Sequence, residues 1–225
     1  MNPLAYTVAP VAAAIVGGAI AAIRQPSDQT RSIVQHLAAG VVFSAAAVEI
    51  LPDVIHANAP VATAIGSCLG VVVMLGLQFA ERRGSGILAL TVVSGLDVFI
   101  DGLVLGLSFL QNARQGLLLA IALTLELGFL GLAVASGLRQ QSPRKIIGLT
   151  TLIALALPLG AAAGLAAADL PKPVLGGFYA FGLVALLYLV TEELLTEAHE
   201  VEDSPAMPIA FFTGFLGLIY LEELL

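Results

Sequence analysis

The stretch SGLDVFIDGLVLG, Ser94 to Gly106, decides how the chain must be read. It sets Asp97 and Asp101 four residues apart in a run that is otherwise apolar or small. On a helix this spacing puts both carboxylates on one face, about 6 Å apart. The surrounding run, Ile87 to Leu110, is long enough to cross a bilayer, with the two acids near its middle. One carboxylate at that depth costs about 2.5–3.5 kcal/mol, and two unpaired anions cost more. A cation or a proton is the cheapest compensation.

The rest of the chain repeats the apolar character of this run. Of 225 residues, 59% are hydrophobic and 11% charged, with mean hydropathy +1.00. A soluble domain carries about 25% charged residues, so the composition describes a multi-pass membrane protein. Eight apolar segments follow one another, at about Ala9 to Ile23, Ile33 to Val54, Pro60 to Ala80, Ile87 to Leu110, Gly116 to Leu138, Ile146 to Ala168, Val174 to Leu195 and Pro208 to Leu224. Each is near the ~20 residues that a spanning helix needs. Ten-residue alternation is absent, so barrel strands are excluded and an all-α polytopic bundle is expected. The connections are short, which makes residues 1–225 a single transmembrane domain. The first segment lacks a basic region before it and does not read as a signal peptide.

The formal charge of −7 is local rather than global. Much of it sits between Glu192 and Asp203 and at Glu222 and Glu223. Nothing is basic enough to bind nucleic acid. The single cysteine, Cys68, excludes an intramolecular disulfide; with Met74 it reads as a packing residue. Arg24, Arg31, Arg82, Arg83, Arg139, Arg144 and Lys145 fall in the loops that follow the first, third and fifth segments, whereas only Arg114 and Lys172 fall in the alternate ones. The positive-inside rule then places both termini outside the cell membrane.

Candidate site residues follow from depth. Asp97 lies about ten residues into the fourth segment and Glu126 about ten into the fifth, each ~15 Å from a helix end. These segments are neighbours of opposite direction, so Asp97, Asp101 and Glu126 are expected at one height. Ser94, Gly95, Gly102, Gly106, Gly128, Gly131 and Ala135 are expected to let the two helices approach. Three carboxylates with water or carbonyl oxygens suit a divalent cation. Glu49 and Glu192, near opposite ends of the second and seventh segments, are expected as accessory ligands on the way in and out, with Glu193 ambiguous beside them. His36, His56 and His199 read as solvated residues near helix ends. Pro158 is expected to kink the sixth helix.

An internal similarity points the same way. VEILPDVIH, Val48 to His56, matches TEELLTEAH, Thr191 to His199, with Glu49 opposite Glu192 and His56 opposite His199. Five spans separate them, so they cross in opposite directions, as in an inverted repeat of spans one to three and six to eight around a central pair. Enzyme readings find less support. An intramembrane aspartyl protease needs aspartates on two facing helices, whereas Asp97 and Asp101 share one. Glu192-Glu193 is similar to the start of the EExxxR signature of CAAX-type proteases, but Glu197 stands where the arginine belongs, and HExxH is absent.

Together these features resemble the ZIP family of divalent metal transporters. Asp97-Val98-Phe99-Ile100-Asp101-Gly102 resembles the family's H-N-x-P-E-G in the fourth segment. Glu126 to Ala135, ELGFLGLAVA, resembles H-N-I-P-E-G-L-A-V-A in the fifth; an alternative register follows H-E-L-G and sets Glu126 one place after the ligand. LAAGVVFSAAAVEILPD in the second segment, GGFYAFGLVALLYLVTEELLTEA in the seventh and GFLGLIYLEELL in the eighth also follow the family pattern. The resemblance implies a 3+2+3 bundle, a metal site between the fourth and fifth helices, transport of zinc, iron or manganese into the cytoplasm, no organic cofactor, and a homodimer. Both motif histidines and both prolines are absent here, Leu130 replaces the second-helix acid, and the loop after the third segment is only ERRGSG. An all-oxygen site favours Mn²⁺, Fe²⁺ or Mg²⁺ relative to a histidine-containing one. Two other expectations stand beside metal transport: a proton-coupled carrier of another solute, and a membrane scaffold whose acids are protonated structural groups.

Overall fold

The computed structural model describes residues 2–24, 26–84, 86–138, 141–202 and 204–224. Arg139 of the positive-inside pattern and Asp203 of the acidic cluster lie outside the described residues. Among the described residues, eight helices are long and apolar enough to cross a membrane. They are α1 (Pro3–Ile23), α2 (Asp28–His56), α3 (Pro60–Arg83), α4 (Ile87–Gln111), α5 (Ala113–Ser136), α6 (Pro143–Asp169), α7 (Lys172–Ala198) and α8 (Ala206–Leu224). The protein is an all-α multi-pass membrane protein. The second and seventh spans reach further than hydropathy suggests because polar first and last turns extend them into the interface.

The spans form two four-helix groups. In one, α1 packs on α5 and α6, and α4 packs on α5 and α6. In the other, α2 packs on α7 and α8, and α3 packs on α7. The groups meet where α2 touches α5 and where α4 touches α7. Both termini lie at one face, here called the terminus face; the loops after α1, α3, α5 and α7 lie at the opposite face.

Close backbone crossings define the register of the inverted repeat. A Cβ on Gly17 would collide with the Gly128 carbonyl, and one on Gly160 with that of Phe99. Gly131 meets the Ala14 carbonyl in the same way, and Gly102 that of Leu157. Residues 14 and 17 of α1 thus correspond to 157 and 160 of α6, and 128 and 131 of α5 to 99 and 102 of α4. Without a side-chain atom at these points, two backbones come close enough for extensive dispersion contact, the main source of helix association in lipid. The expected role of these glycines is therefore corrected. Gly102 and Gly106 seat α4 on α6, and Gly128 and Gly131 face α1; Gly95 faces nothing within 4 Å.

Three spans are irregular. Pro158 cannot donate to the Ala154 carbonyl and its ring crowds it. The α6 helix accordingly breaks between Pro143–Ala154 and Ala156–Leu165, as its sequence predicts. The α2 span carries a π-turn over Ala45–Ile50 and α7 one over Leu189–Leu194. Pro52 accounts for the first, since Val48 loses its ordinary i+4 donor. The two π-turns align residue by residue, which pairs Glu49 with Glu193 and Asp53 with Glu197. The sequence match of Glu49 to Glu192 is thus one residue out of register. The α3 and α8 crossings agree, with Gly70 against the Phe181 carbonyl and Gly214 against that of Leu37.

Candidate functional site

Asp97, Asp101 and Glu126 lie where the two groups meet, and all three are buried, at 9%, 4% and 3% exposure. The crossing register that superposes α4 on α5 makes Asp97 the counterpart of Glu126, and Asp101 that of Leu130. No hydrogen-bond partner reaches Asp101 Oδ2 or Glu126 Oε2, so these buried carboxyl groups need a proton or a cation to compensate them. Among the described residues the only ion pairs are Arg31–Asp28 and Arg114–Glu222, so no basic side chain neutralises these acids.

The site is not symmetric in access. A cavity of about 50 Å³ is lined by Asp97, Glu126, Phe129, Leu130, Ala133, Leu189, Glu193, Leu194 and Glu197. It lies on the side of Asp97 and Glu126 that faces the opposite face. Beyond it Glu197 also lines a wider polar cavity with Asp28, Arg31, Gln35, Glu200 and Glu202. Glu197 thus lines both the mid-span cavity and the polar cavity toward that face. Toward the terminus face, Leu105, Leu118, Leu119 and Ile50 are fully buried.

The sequence-predicted residues separate into three sets. Asp97, Asp101 and Glu126 are all buried at the junction, but only Asp97 and Glu126 line the cavity. Glu49 is half-buried in the α2 π-turn near the terminus face and lines no cavity with them. Glu192 is exposed, and its neighbour Glu193 lines the central cavity instead. Glu193, ambiguous in the sequence, and Glu197, which it did not single out as a site residue, both line the cavity; their spacing of four, on one helix face, was the available signal. No group of three or more His, Cys, Asp or Glu side chains among the described residues is close enough to hold a metal ion. Asp97, Glu126, Glu193 and Glu197 share one cavity without forming a closed coordination shell.

The histidines differ from expectation at one position. His36 is buried at 4%, its Nδ1 bonded to the Ser32 carbonyl at 2.8 Å. Its ring packs edge-on against that of His199 at 5.0 Å. His56 and His199 are exposed. Met74 is buried, as a packing residue should be, whereas Cys68 is exposed on the outer surface of α3.

Fold and site together define a polytopic helical membrane protein built as an inverted repeat around a buried acidic centre. No family model matches the chain, and no curated protein is significantly similar to it in sequence.

Proposed function

We propose that the protein is a membrane transporter of divalent metal cations, of the ZIP type, carrying manganese, iron or zinc through the acidic centre. The terminus face would lie outside the cell membrane and the open route would lead to the cytoplasm, in accord with the arginine pattern. The observation that carries this reading is the burial of Asp97, Asp101 and Glu126 at the junction of the two groups without a basic partner. Such acids are costly in a bilayer unless a cation or proton joins them. Their route to one face is lined by two further acids, Glu193 and Glu197. Separated carboxylates suit an ion that keeps part of its water shell, as hard divalent ions do. A transported ion must also leave, so a loose set of ligands serves transport better than a closed shell. The proton-coupled and scaffold readings share the acids but not the need for a metal.

The test is uptake of Mn²⁺, Fe²⁺ and Zn²⁺ into proteoliposomes holding the purified protein. Metal-dependent uptake that Asp101→Ala and Glu126→Ala each abolish, with both variants folded, is the expected result. Normal uptake in both variants would overturn the site. Proton flux with no metal uptake would overturn the choice of cargo.

A further inference from the structure

Every side-chain hydrogen bond or ion pair that joins the two helix groups, among the described residues, lies near the terminus face. Gln115, at the start of α5 and 3% exposed, donates through Nε2 to the Glu49 carbonyl at 2.5 Å and to Asp53 Oδ2 at 2.6 Å. The Tyr179 hydroxyl of α7 donates to the Leu107 carbonyl of α4 at 3.3 Å. Arg114 pairs with Glu222 across the same junction at 3.9 Å. The Glu49 carbonyl belongs to the π-turn, where the ordinary backbone donor is displaced.

The opposite face has a different arrangement. There Gln35 of α2 donates to Glu197 Oε2 of α7 at 2.9 Å, and Ser32 Oγ donates to the Ala198 carbonyl at 2.8 Å. Both bonds stay within one group, and the acid-lined cavity lies between the groups. The register of the repeat gives these residues counterparts. Gln35 on α2 occupies the place of Tyr179 on α7, and both are buried, at 2% and 5%. Ser136 on α5 occupies the place of Leu107 on α4. Inverted repeats reverse access by exchanging the packing of their two halves.

We infer that Gln115 and Tyr179 form a latch that closes the terminus face, and that in the reversed state Gln35 leaves Glu197 and takes the Ser136 carbonyl, closing the other face. The idea rests on the transport reading only for its purpose; the latch is a property of the fold and is read without any cargo. Losing Gln115 removes two bonds, one of them to a carboxylate, and shifts the balance toward the state open at the terminus face.

Ala122 reports this opening. It lies on the same stripe of α5 as Gln115 and Glu126, at i+7 from the first, and is fully buried. Ala133 lines the cavity on the other side. The experiment places Ala122→Cys or Ala133→Cys in a Cys68→Ala background, in nanodiscs that expose both faces, and measures the labelling rate with a water-soluble maleimide. Gln115→Ala should speed labelling at position 122 about fivefold or more and slow it at position 133. Tyr179→Phe should give about a twofold rise at 122, and Asp53→Asn, which keeps an acceptor but loses its charge, should give a rise smaller than that of Gln115→Ala. With Gln35→Cys and Ser136→Cys placed in the same Cys68→Ala background, a short bifunctional maleimide should join the two positions faster when Gln115→Ala is present than when it is absent. An unchanged rate at 122 in Gln115→Ala, or faster labelling at both positions together, overturns the latch. Cross-linking of positions 35 and 136 that Gln115→Ala does not speed overturns the exchange to Ser136. No metal enters these measurements, so failed metal uptake with a working latch would count against the cargo alone.

Discussion

The π-turn of α2 and that of α7 are the same device in two settings. Each is six residues long, each carries an inward glutamate, and each is followed one turn later by a second acid: Glu49 and Asp53 in one, Glu193 and Glu197 in the other. At the terminus face Gln115 occupies the first, covering both the freed carbonyl and Asp53. At the opposite face Thr196 Oγ1 takes the Thr191 carbonyl at 3.0 Å, within its own helix. Glu193 is left to the cavity beside Asp97 and Glu126. Matched backbone irregularities therefore produce one glutamate whose carbonyl is taken by a neighbouring helix and one whose side chain lines the site. The helix alone does not set which is which; the neighbour that reaches it does.

The comparison can be broken most decisively at the centre that both π-turns flank. Replacing Glu126 by Gln should reduce metal uptake in proteoliposomes more than tenfold, since it removes a buried charge from the centre while keeping the side chain's size. Glu193→Gln should reduce uptake by about tenfold, a cost near that of one lost charge-assisted contact, whereas the same change at Glu49 should act less on uptake. Equal losses at Glu49 and Glu193 would show that the two π-turns serve the route alike. Glu192→Gln should leave uptake as in the parent, because that side chain is exposed away from the cavity. A loss there would restore the register that the sequence match suggests.

Smaller effects test the packing that fixes the repeat. Gly160→Ala introduces a Cβ against the Phe99 carbonyl and should lower stability by about 1–3 kcal/mol. Gly148→Ala on the same helix has nothing within 4 Å and should be neutral or slightly stabilising. Thermal unfolding in detergent separates them; similar midpoints would mean that the α4–α6 crossing is looser than described.

The eight spans and the three central acids were legible in the chain, because apolar length and the depth of a charge along a helix are local properties. The break at Pro158 was legible for the same reason, since a missing N–H acts on its own helix. The glycine stripes were seen, but their partners were not. Gly102 and Gly131 mark a close approach without saying to what, and the approach is to α6 and α1. The choice between Glu192 and Glu193 was also beyond the sequence. Adjacent residues differ by about 100° around a helix, and a π-turn changes that phase by adding a residue to the turn.

The sequence by itself determined that this chain crosses a membrane eight times and stores acid at its middle. Hydrophobic length and the cost of buried charge leave no other arrangement for it. Tertiary structure alone decided which acids share a compartment and which face that compartment opens to. Those outcomes depend on how four pairs of helices meet. A hydrogen bond such as Gln115 to Asp53 joins residues whose proximity no local pattern encodes.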